Sequence, residues 1–183
     1  IVRGHQKRNI FSIETRSGIK YLSLLPNGEI SINIGKVEPL EGEIEVQVNG
    51  KTYGGGLNVD VGNPHAVVFV DSISEIGELK SAPKVLPADT YPDGVNVEFV
   101  EFQPNGELKM RVFERGVGET RSCGTGTCAV ALAATIKRNL KLPCKWKIHP
   151  PGGTLEVEID AHQNAILTGP AVLIKECELD KYL

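Results

Sequence analysis

Apolar and polar residues alternate in several short segments, and this period of two is typical of half-buried β-strands. Every second residue from Ile30 to Ile34 is isoleucine, and the alternation returns over residues 44–48. The pair Asn49-Gly50 follows and is a typical hairpin turn. Flexible glycines are expected at residues 54–56. Further strands are predicted over residues 59–61, 67–71, 94–102, 107–114, 154–160 and 165–174.

One segment predicts a strong helix. From Cys128 to Ile136 the residues are apolar on every side, and a helix of this kind has to be enclosed by other elements. A weak helix is predicted over residues 74–81, before Pro83. The pattern therefore predicts strands wrapped around one buried central helix.

Composition narrows the class of protein further. The 183 residues are 40% hydrophobic and 23% charged, the balance of a folded globular protein. With 20 glycines, 11 prolines and 5% aromatic residues, many short strands and tight turns are favoured over a helical bundle. The net charge of −3 provides no positive field, so we expect neither nucleic acid nor a membrane as partner. Any anionic ligand has to be held by local donors.

The N-terminal sequence has no apolar run after its basic stretch, so the chain is predicted to be cytoplasmic, with free thiols. Because the chain begins at Ile1 and has Met110 as its only methionine, we expect a segment to precede it.

Cys123 is the first candidate for chemistry because it directly precedes Gly124, Thr125 and the predicted helix. Backbone N–H groups and the macrodipole at a helix N-terminus stabilise a thiolate, so a lowered thiol pKa is expected. The same N–H groups suit a carboxylate. Upstream, Glu114-Arg115 ends a predicted strand, and arginine binds carboxylates through two nitrogens. Together these residues indicate a zwitterionic substrate with more than one acid group.

Simpler interpretations exist for the cysteines. Cys128, Cys144 and Cys177 fit small buried hydrophobic residues. A zinc site from Cys123 and Cys128 with Cys144 and His149 is disfavoured, because five helical positions turn the first two well apart. We therefore predict no metal.

The other candidates also have structural alternatives. Asn63 precedes a proline and could belong to a simple turn, and His65 could be a structural histidine. Asn96 could face solvent. Glu114-Arg115 could be a solvated pair.

Four linked motifs resemble the diaminopimelate epimerase family, in order and spacing, over nearly the whole chain. They are Gly62-Asn63-Pro64-His65, Gly94-Val95-Asn96-Val97-Glu98-Phe99, Glu114-Arg115-Gly116-Val117-Gly118-Glu119-Thr120 and Ser122-Cys123-Gly124-Thr125-Gly126. The resemblance implies an isomerase that interconverts LL- and meso-diaminopimelate in lysine and peptidoglycan precursor synthesis. It implies no cofactor, and two cysteines that act on opposite faces of the α-carbon.

The resemblance also assigns roles to individual residues. Cys123 corresponds to the second catalytic cysteine, and His65 and Glu114 correspond to residues that tune the thiols. The proposed substrate contacts are the backbone amides of Gly124 and Thr125 on the α-carboxylate, Glu114 near the amino group, and Asn63, Asn96 and Arg115 on the distal end.

The family fold has two pseudo-symmetric domains, each with an antiparallel or mixed sheet wrapped as a barrel around a central helix. Its α+β class is the one we predict here. Residues 1–38 then correspond to the trailing part of the N-terminal domain, residues 39–169 to the C-terminal domain and residues 170–183 to a strand that returns to the N-terminal domain. The opposing cysteine is expected outside this chain, so the chain alone is expected to be inactive. Expected partners are the N-terminal domain, the substrate and a second copy in a homodimer. A related proline racemase or phenazine-type isomerase, a dicarboxylate-binding module and a zinc-stabilised domain stay open.

Overall fold

The computed structural model describes residues 9–15 and 18–172. This part of the chain holds thirteen strands, one α-helix and one short 3₁₀ helix, Ile73–Ile76. No helix among these residues is long and apolar enough to cross a membrane. The elements are β1 Ile10–Thr15, β2 Gly18–Leu24, β3 Ile30–Lys36, β4 Glu38–Val48, β5 Lys51–Asp60, β6 Pro64–Phe69, β7 Lys84–Leu86, β8 Asn96–Phe102, β9 Leu108–Glu114, β10 Gly118–Thr120, α1 Gly124–Lys137, β11 Cys144–His149, β12 Leu155–Ile159 and β13 Asn164–Gly169.

All thirteen strands belong to one sheet. Its order is β1-β2-β3-β13-β12-β11-β9-β8-β6-β5-β4-β7, and β10 pairs with β9 beside this path. The pairs β6–β8 and β9–β11 are parallel and the others are antiparallel, so the sheet is mixed. Among the described strands the path has free ends at β1 and β7, and the sheet does not close into a barrel.

The helix α1 packs against the sheet and is enclosed by it, as the apolar segment predicts. It contacts seven strands: β4, β5, β6, β8, β11, β12 and β13. Every residue from Gly126 to Thr135 is buried, whereas Ile136 is 40% exposed, so the enclosure ends one residue earlier than predicted. The Trp146 indole donates a hydrogen bond to Thr135 Oγ1 at 2.9 Å and joins β11 to the helix.

The middle of the sheet has a core on each face. Val67 packs with the helix, whereas its neighbours Ala66 and Val68 pack with Ile44 and Phe99 on the opposite face. β6 is therefore covered on both sides, as its continuous apolar run predicts. The arrangement puts the residues of β6 and β8 that face the helix out of contact with water.

The weak helix predicted over residues 74–81 is wrong. Only Ile73–Ile76 is helical, as a 3₁₀ turn, and Gly77 ends it with a φ of +70° that a continuing helix does not allow. The strands β1, β2, β7, β10 and β11 are additional to the predicted ones. The strand predicted over residues 165–174 corresponds to β13, which ends at Gly169, so the prediction is wrong for residues 170–172. Residues 173 and 174 lie outside the described residues.

Gly56 belongs to the continuous strand β5 and is buried, so the flexibility expected there is wrong at this residue. A Cβ at this position would lie 2.8 Å from both Ile44 Cγ1 and Val68 Cγ1. We therefore expect Gly56→Ala to lower the free energy of unfolding by about 1–3 kcal/mol through overpacking, measured by urea denaturation. Gly54→Ala is the matched control, because its Cβ meets only Glu45 Oε1 at 3.8 Å. Equal unfolding midpoints for the two variants would contradict this packing.

Candidate functional site

Cys123 is the N-cap residue of α1, as predicted. Its backbone is extended, and its Sγ accepts a hydrogen bond from Gly126 N at 3.4 Å. The first helical hydrogen bond runs from Thr127 N to Cys123 O at 2.9 Å. The N–H groups of Gly124 and Thr125 precede this bond, so they have no acceptor within the helix. The thiol and two helix N–H groups therefore lie side by side.

The pKa of Cys123 differs from the expectation. The side chain is only 8% exposed, and this burial raises the thiol pKa. Hydrogen bonds from Thr125 and Gly126 lower the pKa but have a smaller effect, and the charges of Glu98 and Glu114 raise it further. The expected lowering is wrong because desolvation of a thiolate outweighs its local donors here. Cys123 therefore holds its proton at neutral pH.

The raised pKa predicts slow alkylation of Cys123 by iodoacetamide at neutral pH. Because only the thiolate reacts, the rate should increase as the pH rises through the raised pKa. Peptide mapping over about pH 6–10 measures the rate for each cysteine, relative to an ordinary thiol pKa of about 8.5. Cys128 is the control, since it is fully buried and burial raises its pKa as well. A midpoint for Cys123 below the ordinary value would contradict this protonation state.

His65 lies on β6 and is completely buried. Its Nδ1 is 2.7 Å from Glu98 Oε1, and its Nε2 is 3.2 Å from Asn63 Oδ1. The segment around Asn63 is therefore more than a turn, because its side chain fixes the far side of the imidazole. Both ring nitrogens therefore have hydrogen-bond partners inside the buried site.

Glu114 lies at the end of β9, where the hairpin to β10 begins. Its Oε1 accepts a hydrogen bond from the Thr120 hydroxyl. Its charge contributes to the raised pKa of Cys123, so Glu114 and the thiol belong to one electrostatic site. The pair Glu114-Arg115 is not a simple solvated ion pair, since each side chain has its own partners.

Arg115 is held by the loop before β8 and by Asn96. Its Nη1 donates to Asp93 O at 3.0 Å and Gly94 O at 3.3 Å. Its backbone N–H donates to Asn96 Oδ1 at 2.9 Å. Asn96 is 8% exposed, so the alternative that it faces solvent is wrong. Arg115 also lines a cavity of about 300 Å³ whose lining includes none of Cys123, His65 and Glu114.

Glu98 is the residue of this site that the sequence reasoning missed. It is fully buried, and its Oε2 has no hydrogen-bond partner among the described residues. The sequence does contain a signal for it: Glu98 is a carboxylate within an apolar strand, two residues after Asn96, and so lies on the same face of the strand as Asn96. Its register opposite Val67 of β6 brings it beside the helix and His65.

Cys128 and Cys144, the other described cysteines, belong to no metal-binding group. Cys123, Cys128 and Cys144 are free, and Cys177 lies outside the described residues. His149 has Glu107 Oε2 at 2.8 Å and Thr154 Oγ1 at 3.0 Å. Within residues 9–15 and 18–172 no three His, Cys, Asp or Glu side chains form a group suited to a metal ion.

The one-helix mixed sheet is a fold that also occurs in solved structures of other proteins. A phenazine biosynthesis protein of the PhzF family from Bacillus anthracis matches with a TM-score of 0.70, covering 93% of this chain and 68% of that chain. A hydroxyproline epimerase from Agrobacterium vitis with bound trans-4-hydroxy-L-proline matches with a TM-score of 0.65, covering 93% and 60%. Both are 15% identical in sequence, so they establish the fold alone.

The family itself follows from sequence comparison. The family model for diaminopimelate epimerase matches residues 57–174. The diaminopimelate epimerase of Streptomyces coelicolor is 41% identical over 182 residues, and that of Acidothermus cellulolyticus is 40% identical over 178 residues. The chain belongs to the diaminopimelate epimerase family. These alignments cover 97% and 96% of this chain but only 63% and 57% of the two relatives.

Proposed function

We propose that this chain supplies one half of the active site of an isomerase that interconverts LL- and meso-diaminopimelate without a cofactor. Cys123 at the N-terminus of the buried helix is the observation that carries the proposal. The named relatives support the substrate, since both are diaminopimelate epimerases. The reaction would serve lysine and peptidoglycan precursor synthesis in the cytoplasm.

The proposed reaction moves one proton off the α-carbon and another onto its opposite face. A second cysteine, as thiolate, removes the α-proton and leaves a carbanion beside the carboxylate. Cys123 then gives its thiol proton to the carbanion and becomes the thiolate, and the reverse direction exchanges the two roles. The raised pKa of Cys123 supports this assignment, because a proton donor has to be protonated in the resting enzyme.

The helix N-terminus would bind the substrate where charge develops. We assign the N–H groups of Gly124 and Thr125 to the α-carboxylate. These dipoles are fixed before the substrate arrives, so they stabilise the carbanion more than the neutral α-carbon. Glu114 would hold the amino group, because its carboxylate lies near the thiol without a lysine or arginine partner in the described ion pairs.

The distal end of the substrate is assigned to Asn63, Asn96 and Arg115. The hydrogen bond from Arg115 N to Asn96 Oδ1 supports a shared subsite. The guanidinium would exchange its contacts with the carbonyls of Asp93 and Gly94 for the distal carboxylate. We also assign His65 to the proton balance of the opposing thiol.

The division into domains belongs to the same proposal. Residues 1–38 would be the trailing part of an N-terminal domain, residues 39–169 the C-terminal domain and residues 170–183 a returning strand. Pairing of β3 with β13 supports a link between the first two segments. The N-terminal domain would supply the opposing cysteine and would pack its own sheet against its own helix. A homodimer is a further proposed assembly.

A substrate panel tests the proposed function. The protein that contains this chain is incubated with LL-diaminopimelate, L-lysine, L-proline and trans-4-hydroxy-L-proline, and the epimers are separated by chiral chromatography. We expect only diaminopimelate to be epimerised, because Arg115 and two asparagines suit a second amino-acid end. Turnover of proline or hydroxyproline instead would favour the second candidate, a proline racemase-like enzyme, which the fold match to the hydroxyproline epimerase supports.

A further inference from the structure

Glu98 is a buried carboxylate to which the proposed mechanism gives no role. It is fully buried in the middle of β8, with β6 on one side and β9 on the other. Burying a carboxylate is costly unless its oxygens have partners. Oε1 has His65 Nδ1 at 2.7 Å, whereas Oε2 has no hydrogen-bond partner among the described residues. Packing alone does not explain a glutamate at this position.

The same carboxylate also meets the first turn of α1. A Cβ at Gly126 would lie 2.6 Å from Glu98 Oε1 and 3.4 Å from Cys123 Sγ. Glu98 and the thiol therefore both lie close to Gly126. The missing side chain at Gly126 makes room for the carboxylate, and the N-terminal end of the helix is a favourable place for negative charge.

We propose that Glu98 is a positioning residue that links His65 to Cys123. Through its Oε1, Glu98 fixes the imidazole ring of His65 and keeps a proton on Nδ1. Because the carboxylate lies next to the first turn of α1, its negative charge favours the protonated form of the Cys123 thiol. Both acid–base groups then depend on one buried carboxylate. The inference rests on the proposed function only where it gives the His65 imidazole and the Cys123 thiol a role in catalysis.

Several titratable groups face Glu98 or Cys123 from neighbouring elements. They are His65 on β6, Glu114 on β9, Cys128 within α1 and Tyr91 before β8. The charge of Glu98 contributes to the raised pKa of both Cys123 and Tyr91. Glu114 acts on the thiol in the same direction, so its variant Glu114→Gln has to be measured beside any Glu98 variant.

The test compares Glu98→Gln with the unchanged protein. The amide keeps an acceptor for His65 but removes the charge, so the midpoint of Cys123 alkylation should fall by about one pH unit. Glu158→Gln is the matched control. Glu158 is an exposed residue of β12, and its neighbours Val157 and Ile159 are the ones that pack in the core with the helix, so the change should leave the midpoint unchanged. Glu114→Gln should also lower the midpoint of Cys123 alkylation, and in the double variant the two decreases should add.

Nitrogen-15 NMR of the unchanged protein tests the link to His65 and needs no variant to fold. We expect a proton on Nδ1 with the strongly downfield shift of a short hydrogen bond. An unprotonated Nδ1 would overturn the proposal, and so would a folded Glu98→Gln protein with an unchanged Cys123 midpoint. Neither the alkylation midpoint nor the NMR shift requires a substrate. Both can therefore be interpreted even if the protein fails to epimerise diaminopimelate.

Discussion

Cys123→Ala in the protein that contains this chain is expected to abolish epimerisation of diaminopimelate. Alanine can neither donate the thiol proton to the carbanion nor accept one in the reverse direction. A single acid–base group typically contributes ~10²–10⁴-fold, so the loss in kcat should be at least of that order. Binding of diaminopimelate should change much less, because the N–H groups of Gly124 and Thr125 that would bind the α-carboxylate remain. Chiral chromatography of the products measures the turnover, and calorimetric titration measures the binding.

Cys128→Ala is the matched control for this loss. Cys128 lies in the same helix, one turn further in, and is fully buried. It should retain most of the activity and lose about 1 kcal/mol or more of unfolding free energy through a small cavity. An active Cys123→Ala protein, or an inactive but folded Cys128→Ala protein, would contradict the assignment of the catalytic thiol.

The 183-residue chain by itself is expected to give no epimerisation. Inversion needs a second acid–base group on the opposite face of the α-carbon, and the described cysteines offer none. Cys128 is enclosed within the helix and Cys144 begins β11, away from the first turn of α1. Calorimetric titration with diaminopimelate beside the activity assay separates binding from turnover. Binding without turnover fits half of an active site, whereas epimerisation by the pure chain would refute the two-cysteine mechanism.

Local patterns predict the helix and eight of the thirteen strands, and they miss β1, β2, β7, β10 and β11. The hairpin at Asn49-Gly50 is correct because both residues have the positive φ that this turn requires. The helix is correct because its all-apolar pattern admits only burial. β1 and β2 escape prediction because their apolar residues, such as Ile19 and Tyr21, are more than 60% exposed and form no inward-facing pattern. β7 and β10 have three residues each, too few to establish a period.

Some features of the candidate site also follow from local sequence, whereas others depend on strands that are distant in the chain. The position of Cys123 at the helix N-terminus follows from adjacent residues alone. The direction of its pKa does not, because burial is imposed by strands distant in sequence. Glu98 is equally non-local: its burial and its contact with His65 arise from the parallel pairing of β8 with β6, across 33 residues of chain. A sequence pattern marks this glutamate as unusual but cannot supply its partner.

Deuterium labelling in D₂O tests the central claim most directly. Because a thiol carries a single proton, inversion by two cysteines takes the new hydrogen from the solvent-exchanged thiol on the far face. Early in the reaction of LL-diaminopimelate, mass spectrometry of the separated epimers should find deuterium in the meso product and almost none in the recovered substrate. Deuterium in both epimers to the same extent, or in neither, would contradict a two-cysteine inversion with Cys123 as one of the two thiols.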